Sequence, residues 1–224
     1  MVERPILMSA PMVRAILAGA KTQTRRIVRK QFSDDAMVAE VAATTPERWQ
    51  VSGHSGLWWD DGGACIDDAV RCPYGMPGDR LWVREAWGFN PDYPGQFSHI
   101  CFRADPGYEH DGIKWVPSIH MPRKASRILL KVTGVRVERL QDISIADAIA
   151  EGCPGGNHGD RYAAIDQYRA LWDSLNAANR STLPSNVNSK RYARVKEWLD
   201  KNPDTTGWAA NPWVWAITFK VVQP

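Results

Sequence analysis

Two short stretches hold side chains that can do chemistry together. In Gly19-Ala20-Lys21-Thr22-Gln23-Thr24-Arg25-Arg26, an amine, hydroxyls and two guanidiniums lie close along the chain. A threonine hydroxyl is inert near neutral pH unless a base lies within hydrogen-bond reach. Lysine serves as that base only when burial or a neighbouring cation lowers its pKa. Arg25 and Arg26 offer such a cation. Arg26 stands two residues past Thr24, so in a strand the two share a face. The second stretch, Asp147-Ala148-Ile149-Ala150-Glu151-Gly152, ends a short helix on a carboxylate. Glu151 there can orient a lysine or carry its proton. Lys21 as base, Thr24 as nucleophile and Glu151 as third member would suit acyl transfer. The same spacing also fits a surface lysine and a strand threonine with no chemistry.

Other residues are candidates for holding a ligand. Trp115-Val116-Pro117-Ser118-Ile119-His120-Met121-Pro122-Arg123 sets an indole, a hydroxyl, an imidazole and a guanidinium among prolines. Prolines stiffen the loop, which favours Trp115, Ser118, His120 and Arg123 as pocket lining. In Arg84-Glu85-Ala86-Trp87, Glu85 and Trp87 alternate onto the face of Val83. An inward Glu85 would accept from a cytosine amino group, or pair with Arg26. The scattered cysteines and histidines lack metal-ligand spacing, so no metal site and no cofactor are expected.

These residues need elements to position them. Pro5–Ser9 reads as a strand, Ala10–Gly19 as a helix capped by Ser9, and Thr22–Val28 as a strand. Residues 31–77 read as an irregular insertion containing a hairpin near Trp49–Trp59. Gly78-Asp79 is a turn into a strand over Leu81–Trp87, with weaker strands at Ser98–Arg103 and Lys114–Val116. Arg127–Leu140 is a long strand bent at Gly134. Helices follow at 144–151, 160–176 and 189–201, the second with Tyr168, Leu171, Trp172 and Leu175 on one face. A last strand covers Trp213–Phe219. Many short strands around one bent strand favour an α+β architecture built on a small mixed barrel. The chain is expected to form a single domain over 1–224, with insertions at about 31–77 and 153–212.

Composition adds little about function. The 224 residues carry a net charge of +3, which does not single out a nucleic-acid binder. Basic clusters at Arg25–Lys30 and Arg123–Arg127 fit either phosphate contacts or a solvated surface. Eleven tryptophans are many for this length; most suit core packing, and a few can stack on a base. No run approaches the roughly 18 apolar residues of a membrane span, so no membrane association and a cytoplasmic location are expected.

The spacing G-x-K-x-x-T-x-R over Gly19–Arg26 resembles the signature of the ASCH domain family, relatives of the PUA RNA-binding fold. The resemblance takes in roughly residues 5–30, 78–90, 113–152 and 213–222. Lys21, Thr24 and Glu151 resemble the catalytic set of the branch that hydrolyses N4-acetylcytidine. That likeness implies Lys21 as general base, Thr24 as nucleophile and Glu151 as the third member. The two insertions have no counterpart in that branch. The whole chain is more similar to larger phage-type ASCH proteins, through Pro117–Arg123 and Asn211–Trp215. The implied ligand is a modified nucleoside or a nucleic acid, RNA before DNA. The implied activity is removal of an acyl group from N4-acylated cytidine; the alternatives are a non-catalytic RNA- or modified-DNA-binding module and a ribonuclease.

Overall fold

Gly19 and Gly152 turn the chain in the same way at two helix ends, and between them they set the architecture of the site. The computed structural model describes residues 1–29, 31, 37–39, 49–52, 69–70, 72–107, 112–155, 162–176 and 206–222. β1 (Glu3–Leu7) leads into α1 (Ala10–Leu17), which tolerates Pro11 in its first turn because no intrahelical donor is lost there. Gly19 at φ 74° closes α1. Its amide returns to the Ile16 carbonyl and that of Ala20 to Ala15, the paired reversal of a Schellman end. β2 (Gln23–Ile27) follows.

β3 (Met37–Ala39), β4 (Trp49–Ser52) and β5 (Ala69–Val70) form a small antiparallel sheet. Leu57 and Trp59 of the expected hairpin, and the helix expected at 189–201, lie outside the described residues. The strand expected over Leu81–Trp87 is two strands, β6 (Arg80–Arg84) and β7 (Trp87–Phe89). β7 leaves the main sheet to pair with β8 (Ile100–Phe102), and Val116 joins it by a single bridge. The separation has a packing cause: Trp87, Met121 and Ala125 form their own buried cluster with Phe89 and Phe102.

β9 (Leu129–Arg139) is the expected bent strand. Its register against β10 (Trp213–Val222) shifts between Thr218 and Phe219, so Thr133 beside Gly134 is the extra residue. α2 (Ile145–Ala150) and α3 (Ala163–Asn176) lie between them in sequence. Ser144 caps α2 by accepting from the Asp147 amide at 3.1 Å, as the sequence suggests.

The main sheet runs β1-β6-β9-β10-β2. The fold is mixed α+β, with a five-stranded sheet and, among the described residues, no closed barrel. β1 and β2 remain as two edges without a ladder between them. The start of β2's free edge is already taken: Lys21 bridges to Glu151, and the Thr22 amide donates to the Ala150 carbonyl. Where β1 and β2 do approach, a side chain spans the gap. Arg26 donates through NH2 to the Leu7 carbonyl at 2.7 Å.

β10 is buried on both faces. Trp213, Trp215, Ile217 and Phe219 join the main core with α1, while Val214 faces Leu140, Tyr168 and Trp172. α3 thus covers the outer face of the sheet, and Leu171 touches both clusters. Leu175 departs from the expected face and is 49% exposed. Among the described residues, no helix is long and apolar enough to cross a membrane.

Candidate functional site

Two helix C-termini meet at Lys21. Like α1, α2 ends in a Schellman turn: Gly152 at φ 91° returns its amide to Ile149, and Cys153 returns to Ala148. Glu151 is the last residue before that reversal, and Lys21 is the second residue after the α1 reversal. A cation beside helix ends is favoured by their carbonyls. The Lys21 amine donates to the Glu151 carbonyl at 2.8 Å and to Glu151 Oε2 at 2.6 Å. Both residues are buried, at 1% and 3% exposure. Burial pulls the Lys21 pKa below the ordinary lysine range, Glu151 opposes that shift, and Arg26 adds to it.

β2 distributes its side chains by alternation. Gln23, Arg25 and Ile27 pair in register with Thr218, Ala216 and Val214, and so face α2 and α3. Arg25 is buried there among carboxylates. It lies 2.5 Å from Glu138 Oε1 and 3.3 Å from both Asp147 Oδ2 and Glu151 Oε1. Arg136 binds the same Glu138 and Asp147 at 2.6 and 2.8 Å. This network ties α2 to the sheet and holds Glu151 from the side opposite Lys21.

Thr24 and Arg26 lie on the other face, as their spacing predicts. Arg26 NH1 donates to Thr24 Oγ1 at 3.0 Å. Thr24 is fully enclosed. The hydrogen bonds of the described residues join Lys21 to Glu151 and Thr24 to Arg26; none joins Lys21 to Thr24.

A cavity of about 670 Å³ opens at the seam between β1 and β2. Arg25, Arg26 and Glu151 line it together with Leu7, Met8 and Met12 from the β1–α1 segment. Tyr74, Tyr168 and Trp172 give it aromatic walls, and Arg84 and Ser118 lie along it. Lys21 and Thr24 sit behind this lining, each one hydrogen bond away through Glu151 and Arg26.

Of the ligand-binding candidates, Arg26 and Ser118 line the cavity and the others lie elsewhere. Glu85 is 1% exposed and paired through both oxygens with Arg127, at 2.9 and 3.1 Å. It therefore meets Arg127 where the sequence suggests Arg26 or a base. Trp87 packs edge-on to Phe89 and stacks with Phe97 in the β7–β8 cluster. Trp115 is half-buried next to that hairpin, and His120 is exposed. Arg123 reaches Glu3 at 3.0 Å. Among the described residues, no cluster of His, Cys, Asp or Glu could hold a metal ion.

Sequence reasoning missed Arg84, Tyr168 and Trp172 as cavity residues. The helical periodicity marked Tyr168 and Trp172 only as core, and Arg84 carried no signal beyond its charge. No family model, curated protein or solved structure matches the chain.

Proposed function

We propose that the protein recognises a modified cytosine nucleoside in the seam cavity and hydrolyses an N4-acyl amide, as its ASCH-like signature implies. The observation that carries the reading is the buried Lys21–Glu151 pair at 2.6 Å, one hydrogen bond behind a cavity that Arg26 links to Thr24. A fully enclosed lysine with a lowered pKa is unusual in a purely structural role, and such perturbations concentrate at functional sites.

The chemistry balances without another reactant than water. Lys21 acts as its neutral amine, the form that burial and Arg26 favour. With ligand bound, Thr24 Oγ attacks the acyl carbon, and its proton passes to Lys21 across a gap that no hydrogen bond spans in the free protein. The carbonyl oxygen gains negative charge and takes guanidinium hydrogen bonds from Arg26. The C–N bond breaks as the leaving amine takes the proton from Lys21. Water then cleaves the threonyl ester, and the acid leaves. Tyr168 and Trp172 offer aromatic surface to the base, a contact that tolerates substitution at N4.

One observation favours a second reading. Thr24 is enclosed and does not line the cavity, which suits a module that binds the nucleoside and leaves it intact. Incubating the purified protein with a panel of N4-acylated cytidines, followed by mass spectrometry, separates the two. Release of cytidine supports hydrolysis. Binding without release, lost in Arg26→Ala, supports the module.

A further inference from the structure

The cations around the cavity are not treated alike. Arg25 is neutralised by three carboxylates. Arg26 and Arg84 have none among the described residues. Arg26 spends its donors on neutral acceptors: the Thr24 hydroxyl and the Arg25 and Leu7 carbonyls. Arg84 donates NH2 to the Ile119 carbonyl and rests over the Trp82 ring at 5.3 Å. Its Nε is buried without a partner. Both residues meet Leu7, whose carbonyl accepts from Arg26 and whose backbone pairs in register with Arg84. The cavity lining thus holds three guanidiniums against one carboxylate, Glu151, itself bound by Lys21.

Arg26 and Arg84 are half-buried, and even partial removal of a guanidinium from water without a counter-charge is unfavourable. Elsewhere the chain neutralises such groups: Arg127 with Glu85 and Asp105, and Arg136 with Glu138 and Asp147. At the cavity it does not, and an anionic ligand supplies the missing charge. A guanidinium fork with unused donors fits phosphate oxygens. The Ser118 hydroxyl, next to the Ile119 carbonyl that holds Arg84, lines the same wall. The volume suits a ligand larger than a bare phosphate.

We propose that the cavity takes its ligand in phosphorylated form, as a nucleotide, with Arg84 as the group that holds the phosphate. This rests on the nucleoside reading of the site but not on hydrolysis. The cavity places the base against Tyr168 and Trp172, and the phosphate at Arg84.

Calorimetry on the full chain tests it with ligands that carry no acyl group and cannot be turned over. The probes are cytidine, cytidine 5′-monophosphate and a short oligocytidylate without terminal phosphates. The monophosphate should bind about tenfold tighter than cytidine, and added salt should erode the difference. In Arg84→Gln the preference for the monophosphate over cytidine should be lost, with thermal unfolding showing that the variant is folded. Arg84→Lys should keep part of the gain. An oligocytidylate that matches the monophosphate assigns the phosphate to a nucleic-acid chain; a weaker one assigns it to a free nucleotide. Equal affinities for cytidine and its monophosphate, no binding of either phosphorylated probe, or a preference that survives Arg84→Gln overturns the proposal. An Arg84-dependent gain in a protein that hydrolyses no acylated nucleoside leaves this inference standing and removes only the hydrolytic reading.

Discussion

At Lys21, two opposing effects meet on one amine. Burial and Arg26 lower its pKa, while Glu151 raises it. If the neutral amine is the base, kcat/KM rises with pH through an ascending limb below the ordinary lysine range. Glu151→Gln removes the raising effect, so the limb should move to lower pH. A pH–rate profile of both proteins reads this directly, and a limb that stays put or moves up would show that Lys21 is not the titrating base. Glu85 gives a contrasting case. Its partner is Arg127, so Glu85→Ala should lower stability by about 1–3 kcal/mol and leave nucleoside affinity unchanged. Urea unfolding and calorimetry distinguish this from a ligand-binding role, which would produce the opposite pattern. The sequence made the Thr24–Arg26 face legible because strand alternation is local. It could not choose among carboxylates for Arg25 or Arg127, because those pairs are set by strands and helices far apart in the chain.

Among the elements, the site depends on two glycine-ended helices whose reversals touch. A Cβ added to Gly152 would stand 3.2 Å from the Ala15 Cβ and 3.5 Å from the Lys21 Cβ, at a φ of 91°. Gly152→Ala should therefore cost about 1–2 kcal/mol in backbone strain and push α2 away from the Lys21 turn. Thermal unfolding should register the loss, together with a fall in activity or affinity larger than the residual folded fraction explains. Unchanged stability and binding would mean that the junction of α1 and α2 does not position the pair. Both reversals could be read from sequence, since Gly follows an apolar helical run in each case. Their contact could not, because it depends on how α2 returns across the β2 edge. The break between β6 and β7 was also hidden, since no Gly or Pro interrupts Leu81–Trp87 and only the Trp87–Met121 cluster pulls the second half away.

At the scale of the whole molecule, the sheet stops short of closing and the cavity sits where it stops. Bent β9 and buried β10 were legible from apolar runs and Gly134. The open seam was not, because it arises when α2 and the Arg26 side chain take the place of a fifth strand pairing, β1 with β2. Of the aromatic walls, Tyr168 and Trp172 come from α3 and Tyr74 from the turn before β6, so both segments expected as insertions reach the cavity. The proposed hydrolysis places an amide hydrolase built on Lys21, Thr24 and Glu151 at this seam. The most direct measurement is the turnover of N4-acetylcytidine, followed by mass spectrometry, in the native protein and in Lys21→Ala, Thr24→Ala and Thr24→Ser. Expected are turnover by the native protein, a loss of about a hundredfold or more in each alanine variant, and partial retention in Thr24→Ser. Full turnover in folded Lys21→Ala, or none by the native protein on any N4-acylated cytidine, would contradict it.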